Sequence, residues 1–304
     1  MVAAATAAAF AVRTLPFTYR AHDGARAKSY LVVPSWYGPH RHPPLPLVVS
    51  PHGRGVSGRY NLRFWGALPA RGRFALVSPD GHGRRLASYS WGYPGQIDDL
   101  AHMGSFARRA FPWLRLDGRV YGIGASMGGQ EVLLLAARTR LTGVAAFDSA
   151  TDLSLRYRAW STTPGEMQLP ALARLEVPGT PASNPHGYAV RSPIDDVGAI
   201  VRSRTPIQLW WSRNDRVVTD GLQETGALYE RLRGRAPVQE IVGLWQHAHE
   251  MHAGTQLPAA LACLGLLPFG GIRVPPFQAT AAGIEESAGP PVPLTTELCG
   301  KTRR

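Results

Sequence analysis

Between residues 47 and 267, short apolar runs alternate with segments whose apolar residues recur at helical spacing. Leu47-Val48-Val49-Ser50, Phe74-Ala75-Leu76-Val77, Val120-Tyr121-Gly122-Ile123, Leu141 to Phe147, Ile207 to Trp211 and Gln239 to Val242 are the runs. Segments this short and this continuously apolar read as strands buried on both faces of a parallel sheet. Turn signals bound them: Pro51-His52-Gly53, Ser78-Pro79-Asp80-Gly81 and Asp117-Gly118. Between them, Ile97, Leu100, Met103, Ala107 and Ala110 put one apolar face on a helix over Gln96 to Ala110. Gly128 to Arg138 and Leu257 to Leu267 read as further helices. Nearer the start, Thr14 to Tyr19 and Ser29 to Val33 suit an antiparallel hairpin turning at His22-Asp23-Gly24. Strands alternating with helices predict an α/β domain with a doubly wound, mostly parallel sheet and exclude a sandwich.

Two segments break the rhythm. Arg156 to Arg204 is long, rich in Pro, Gly and Ser, and lies between two sheet elements. A stretch of that length reads as a functional insertion, here a cap over a site at the sheet's carboxyl rim. The tail from residue 268 to 304 carries Pro275-Pro276 and Pro290-Pro291 and is expected to be extended or mobile. The organisation is therefore one domain over residues 1–267, with the cap at about 156–204, followed by the tail. With 304 residues, 44% of them hydrophobic, a full-sized core is available.

The formal charge is +12, and all but two of the 33 Lys and Arg residues are arginine. They are scattered along the chain with no RNA-binding or zinc-finger pattern, so a solvated basic surface is expected and a nucleic-acid partner is not. Cys263 and Cys299 form no C-x-x-C pair. Nothing in the sequence requires them to bond, though a late helix and the tail would be the elements joined. No apolar run reaches the roughly 20 residues that span a bilayer. The alanine-rich start, Met1 to Val12, lacks a basic lead-in and reads poorly as a secretory signal. A cytoplasmic location is expected, with secretion as the alternative.

The chemistry is concentrated at Gly124-Ala125-Ser126-Met127-Gly128, a G-x-S-x-G that follows a strand and opens a helix. That geometry forces Ser126 into a tight turn with its hydroxyl exposed above the sheet edge, and small flanking residues avoid collisions there. A serine hydroxyl needs a base to act as nucleophile. Downstream, Asp215 follows the Ile207 to Trp211 strand, where an orienting carboxylate belongs; Asp220 reads better as a helix cap. After the last strand, His247, His249 and His252 compete for the base, and His247, first in the short loop, is favoured. Their H-x-H-x-x-H spacing also occurs in metal hydrolases, but Met251 stands where such sites carry an aspartate, so no metal is expected. An oxyanion hole would draw one amide from Met127 and one from the His52-Gly53-Arg54-Gly55 loop, Arg54 before Gly53. His52, Tyr89, Trp91 and Trp160 are candidate substrate contacts, with Tyr188 a second aromatic of the cap.

His52 to Gly55, Gly124 to Gln130, Asp215 to Val218 and Trp245 to Met251 together resemble the α/β-hydrolase superfamily. The likeness is to bacterial esterases related to the prolyl oligopeptidase and polyhydroxyalkanoate depolymerase groups, over roughly Leu47 to Leu267. It implies a mostly parallel eight-stranded sheet with the cap after the sixth strand, and a Ser-His-Asp triad without a cofactor. The expected substrate is a small-molecule ester. A short-peptide peptidase of the same fold and a non-catalytic binding protein are the alternatives. A large-oligopeptidase role, which would require an amino-terminal propeller, is not expected.

Overall fold

The structure, a computed structural model, describes residues 10–280 and 283–299. The alanine-rich start is therefore mostly outside the described residues. Eight strands follow in chain order: β1 (Val12–Arg20), β2 (Arg26–Pro34), β3 (Leu45–Val49), β4 (Ala75–Pro79), β5 (Leu116–Ala125), β6 (Gly143–Phe147), β7 (Ile207–Ser212) and β8 (Val238–Gly243). The tail supplies β9 (Arg273–Val274), β10 (Phe277–Ala279), β11 (Ile284–Glu286) and β12 (Val292–Pro293). The main sheet runs β1-β2-β4-β3-β5-β6-β7-β8-β11-β10, ten strands rather than the eight expected. β1 and β2 are antiparallel to their neighbours, β3 to β8 are parallel, and β11 joins β8 in parallel.

The helices are α1 (Gly58–Asn61), α2 (Leu68–Gly72), α3 (Pro94–Ala110), α4 (Met127–Arg138), α5 (Leu153–Trp160), α6 (Leu169–Glu176), α7 (Pro185–Ala189), α8 (Val197–Ser203), α9 (Ala227–Leu232) and α10 (Leu257–Cys263). β3, β4, β6 and β7 are buried at every position, as strands covered on both faces must be. One face packs under α3, α4, α8 and α9, through Ile97, Leu133, Ile200 and Leu228. The other packs under α2 and α10, through Leu68, Phe74, Trp210 and Leu261. α4 is buried from Met127 to Ala136 because the sheet, α3 and α8 enclose it. α5 to α8 all lie between β6 and β7.

The tail is more ordered than its composition suggests. A disulfide joins Cys263 at the end of α10 to Cys299, 36 residues on. It returns the chain to the body, so that β11 can extend the sheet and β12 can pair with β9. Among the described residues no helix is long and apolar enough to cross a membrane. Closing a loop of this length by a disulfide removes about 2–4 kcal/mol of unfolded-chain entropy. Reduction, or Cys263→Ser, should lower stability by that order. Thermal unfolding with and without reductant measures it; unchanged unfolding would show that the bond contributes nothing.

Candidate active site

β5 ends at Ala125 and α4 begins at Met127, so Ser126 turns the chain alone, at φ +58° and ψ −125°. Its amide donates to the Phe147 carbonyl at 2.8 Å, continuing the β5–β6 ladder, and its carbonyl accepts from Gln130 at 3.0 Å, opening α4. A Cβ at Gly124 would strike the backbone of Gly128, and one at Gly128 would strike the Pro51 carbonyl. The two glycines of the motif are therefore required by close packing at this turn.

His247 lies in the loop after β8, and its Nδ1 is 2.7 Å from Oδ2 of Asp215, in the loop after β7. The other oxygen of Asp215 accepts from the amides of Val217 and Val218, at 2.7 and 3.0 Å. Burial alone would raise this carboxyl. The hydrogen bond and charge of His247, with the two amides, outweigh burial and hold it below the ordinary aspartate value. Asp220 instead lies 3.5 Å from Arg156. His249 and His252 face one another, and His252 packs edge-on against Phe64. Among the described residues the three histidines do not gather as a ligand set.

A mainly apolar cleft of about 220 Å³ brings Gly53, Arg54, Val56, Tyr60, Phe64, Ser126, Val217, His247 and Ala248 together. Its Tyr60–Phe64 wall is held by Asn61, whose buried amide donates to Ser50 and Ser78 at the ends of β3 and β4. Ser126 also lines a pocket of only about 20 Å³. It is lined by Arg54, Trp91, Met127, Ala150, Arg156, Trp160, Val217 and Val218. Trp91 and Trp160 thus reach the serine. Tyr89 packs on Trp91 at 5.3 Å without lining either space. His52 lines neither: it is buried, with its ring nitrogens 2.6 Å from the Gly53 carbonyl and 3.0 Å from that of Asp80, bracing the loop instead. Tyr188 is buried inside the helical segment, against Tyr157.

Several buried ionisable groups near the site were not singled out from the sequence. Asp148, directly after β6, accepts from the Ser212 amide at 3.0 Å, the Trp245 indole at 3.1 Å and the Ala248 amide at 2.7 Å. It thereby fixes the histidine loop, where Ala248 has φ +55°. One donor or acceptor atom each from Asp148, Asp215 and His247 lie within 4.8 Å of one another. Burial pushes Asp148 up to about 6, with the His247 charge opposing and Asp215 adding. Glu250 is fully buried and is raised well above its ordinary value, by burial first and then by Asp148.

The segment between β6 and β7 is fastened by ionisable side chains, most of them buried. Arg156 is enclosed by Glu166, Asp220 and Glu224, and donates to the Val217 carbonyl at 2.7 Å. Glu166 also pairs with Arg54. Glu176 accepts from the consecutive amides of Arg84, Arg85 and Leu86. Arg191 donates to the carbonyls of Ser90 and Glu176, at 2.6 and 2.9 Å. For Asp148 and Glu250 the only sequence signals were a position just after a buried strand and a place among the histidines; Arg156, Glu166, Glu176 and Arg191 carried none.

No protein-family model and no curated protein sequence matches the chain. Solved structures do. A puromycin-hydrolysing peptidase of Mycobacterium tuberculosis superposes with a TM-score of 0.65 at 17% identity, over 88% of this chain and 40% of that one. For Pyrococcus horikoshii acylaminoacyl peptidase the TM-score is 0.60 at 14% identity, over 79% of this chain and 38% of that one. For an esterase of the fungus Rhizomucor miehei it is 0.60 at 16% identity, over 82% of this chain and 81% of that one. The chain thus spans about two fifths of the length of the two peptidases. These proteins are of α/β-hydrolase fold, and the present chain has that fold.

Burial raises Glu131 and Glu240 to about 7 and Glu224 to about 8, so the folded state prefers each of them protonated. A raised carboxyl contributes stability that is complete below its unfolded value and is lost as pH climbs through the folded one. Stability should therefore fall between about pH 5 and pH 9. Glu224→Gln should make that fall shallower in its upper half. Urea unfolding across this range reads the slope, and an identical slope in the variant would contradict the assignment.

Proposed function

We propose that the chain is a serine hydrolase that cleaves a carboxylic ester through an acyl-enzyme. One observation carries the reading: a His247–Asp215 pair at 2.7 Å opens onto the same cleft as a serine held at a strand-to-helix turn. In this reading His247 takes the Ser126 proton through Nε2, while Asp215 holds Nδ1–H and stabilises the imidazolium. Ser126 Oγ bonds to the acyl carbon, and the negative charge forms on the former carbonyl oxygen. The amides of Met127 and of Arg54, or of Gly53 in its place, receive that charge at the amino end of α4. His247 returns the proton to the departing alcohol, and water repeats the sequence to release the acid. Asp148 keeps the loop from turning His247 away.

The Rhizomucor miehei esterase, matched over four fifths of both chains, supports an ester substrate over a peptide. The pocket bounded by Trp91 and Trp160, about 20 Å³, has room for a methyl-sized group, so the acyl chain is short and the alcohol lies along the 220 Å³ cleft. The Cys263–Cys299 bond favours secretion over the cytoplasm, because disulfides persist in oxidising compartments.

Ser126→Ala should lower kcat on p-nitrophenyl acetate by about 10⁴-fold or more and abolish fluorophosphonate labelling. Full turnover in that variant would exclude the mechanism, and faster cleavage of aminoacyl nitroanilides than of esters would make the chain a peptidase. Acetyl esters should exceed butyryl esters in kcat/KM by about tenfold or more. Trp160→Ala should narrow that ratio; an unchanged ratio would place the acyl group elsewhere.

A further inference from the structure

His22 and Asp23 stand together on the tight turn between β1 and β2, where the Ala21 amide donates to Ala25 and the Gly24 amide donates to Ala21, both at 2.8 Å. His82 comes to them from the loop after β4. One nitrogen or oxygen from each of the three side chains lies within 4.8 Å of the others. The two imidazole rings meet edge to face at 5.2 Å.

Each member is held by a partner outside the trio. Asp99, buried in α3, accepts from the His22 amide at 2.7 Å and lies 3.0 Å from His22 Nδ1. With its proton on Nδ1, His22 would offer Nε2, the ring atom lying against Gly95 of α3, as the ligand atom. This is how a second carboxylate fixes the tautomer of a metal-binding histidine. Gln96, one turn earlier on the same face of α3, accepts from the His82 amide at 2.9 Å. The absence of a side chain at Gly95 lets α3 lie against the His22 ring, where a Cβ would collide with it. Asp23 Oδ1 accepts from the Ala25 amide at 2.9 Å, and Oδ2 is left facing His82 Nε2, also at 2.9 Å. A cation between these last two atoms would take the place of one proton. Two imidazoles, one carboxylate and a second carboxylate behind them make a nitrogen-rich donor set. It suits zinc, nickel or copper better than calcium or magnesium.

We propose that His22, Asp23 and His82 form a divalent transition-metal site, with Asp99 orienting His22, that clamps the β1–β2 turn to the loop after β4. The site stands apart from Ser126 and does not depend on the proposed hydrolase reaction. The probe is zinc(II) chloride, titrated calorimetrically into the full chain. One equivalent should bind in the micromolar range, and saturating zinc should raise Tm by about 5 °C. His22→Ala with His82→Ala should remove both effects. Asp99→Asn should weaken binding about 10- to 100-fold. Retention of the equivalent by the double variant would place the metal at other histidines and overturn the proposal, as would absence of binding to the wild-type chain. Should the variants fail to fold, the visible spectrum of the wild-type chain with cobalt(II) decides. An intense spectrum of a four- or five-coordinate ion supports the site, and the pale spectrum of the hydrated ion overturns it.

Discussion

The carboxyl rim of the sheet is organised around one serine backbone held at positive φ. A side-chain-bearing residue in such a conformation costs on the order of 1–3 kcal/mol, which its surroundings must offset. At Ser126 they do so from both directions. The amide remains within the β5–β6 ladder and the carbonyl already belongs to α4. Neither bond survives if the turn relaxes, so the hydroxyl stays fixed at the end of the sheet.

The neighbouring loops follow a second rule. Buried carboxylates at this rim are satisfied by main-chain amides, and those amides belong to the loops that must be positioned. Asp215 gathers Val217 and Val218. Asp148 gathers Ser212, Ala248 and the Trp245 indole. Their proximity to one imidazole would be repulsive if every acid there were charged. Burial together with Asp148 disfavours the ionised form of Glu250, which lessens that repulsion.

The sequence was most legible where structure is decided locally. β3, β4, β6 and β7 were readable within a few residues because they are buried at every position and so are nearly unbroken apolar runs, and β5 and β8 showed through their buried carboxyl halves. The turn at Ser126 was readable because its two glycines answer clashes within a few residues of it, or against the loop after β3. β10 and β11 were not: they are three residues each, partly exposed, and pair only because β8 offers an edge and a disulfide returns the chain to it. Asp148, Arg156 and Glu176 were equally hidden. Apart from Glu166, ten residues after Arg156, the hydrogen-bond and ion-pair partners of their side chains lie 61 or more residues away, and no local pattern encodes that. His52 looked like a ligand contact for the converse reason: nothing in its own tripeptide revealed that two carbonyls enclose it.

The three amides that receive Glu176 give the helices between β6 and β7 a pinned end. With Arg191 tied to Ser90 as well, swinging these helices outward would pull a carboxylate and a guanidinium away from the main-chain groups that satisfy them. They are a wall and not a door. In the proposed reaction, molecules would reach Ser126 through the cleft lined by the exposed ring of Tyr60, and the dimensions of that passage would decide which are admitted.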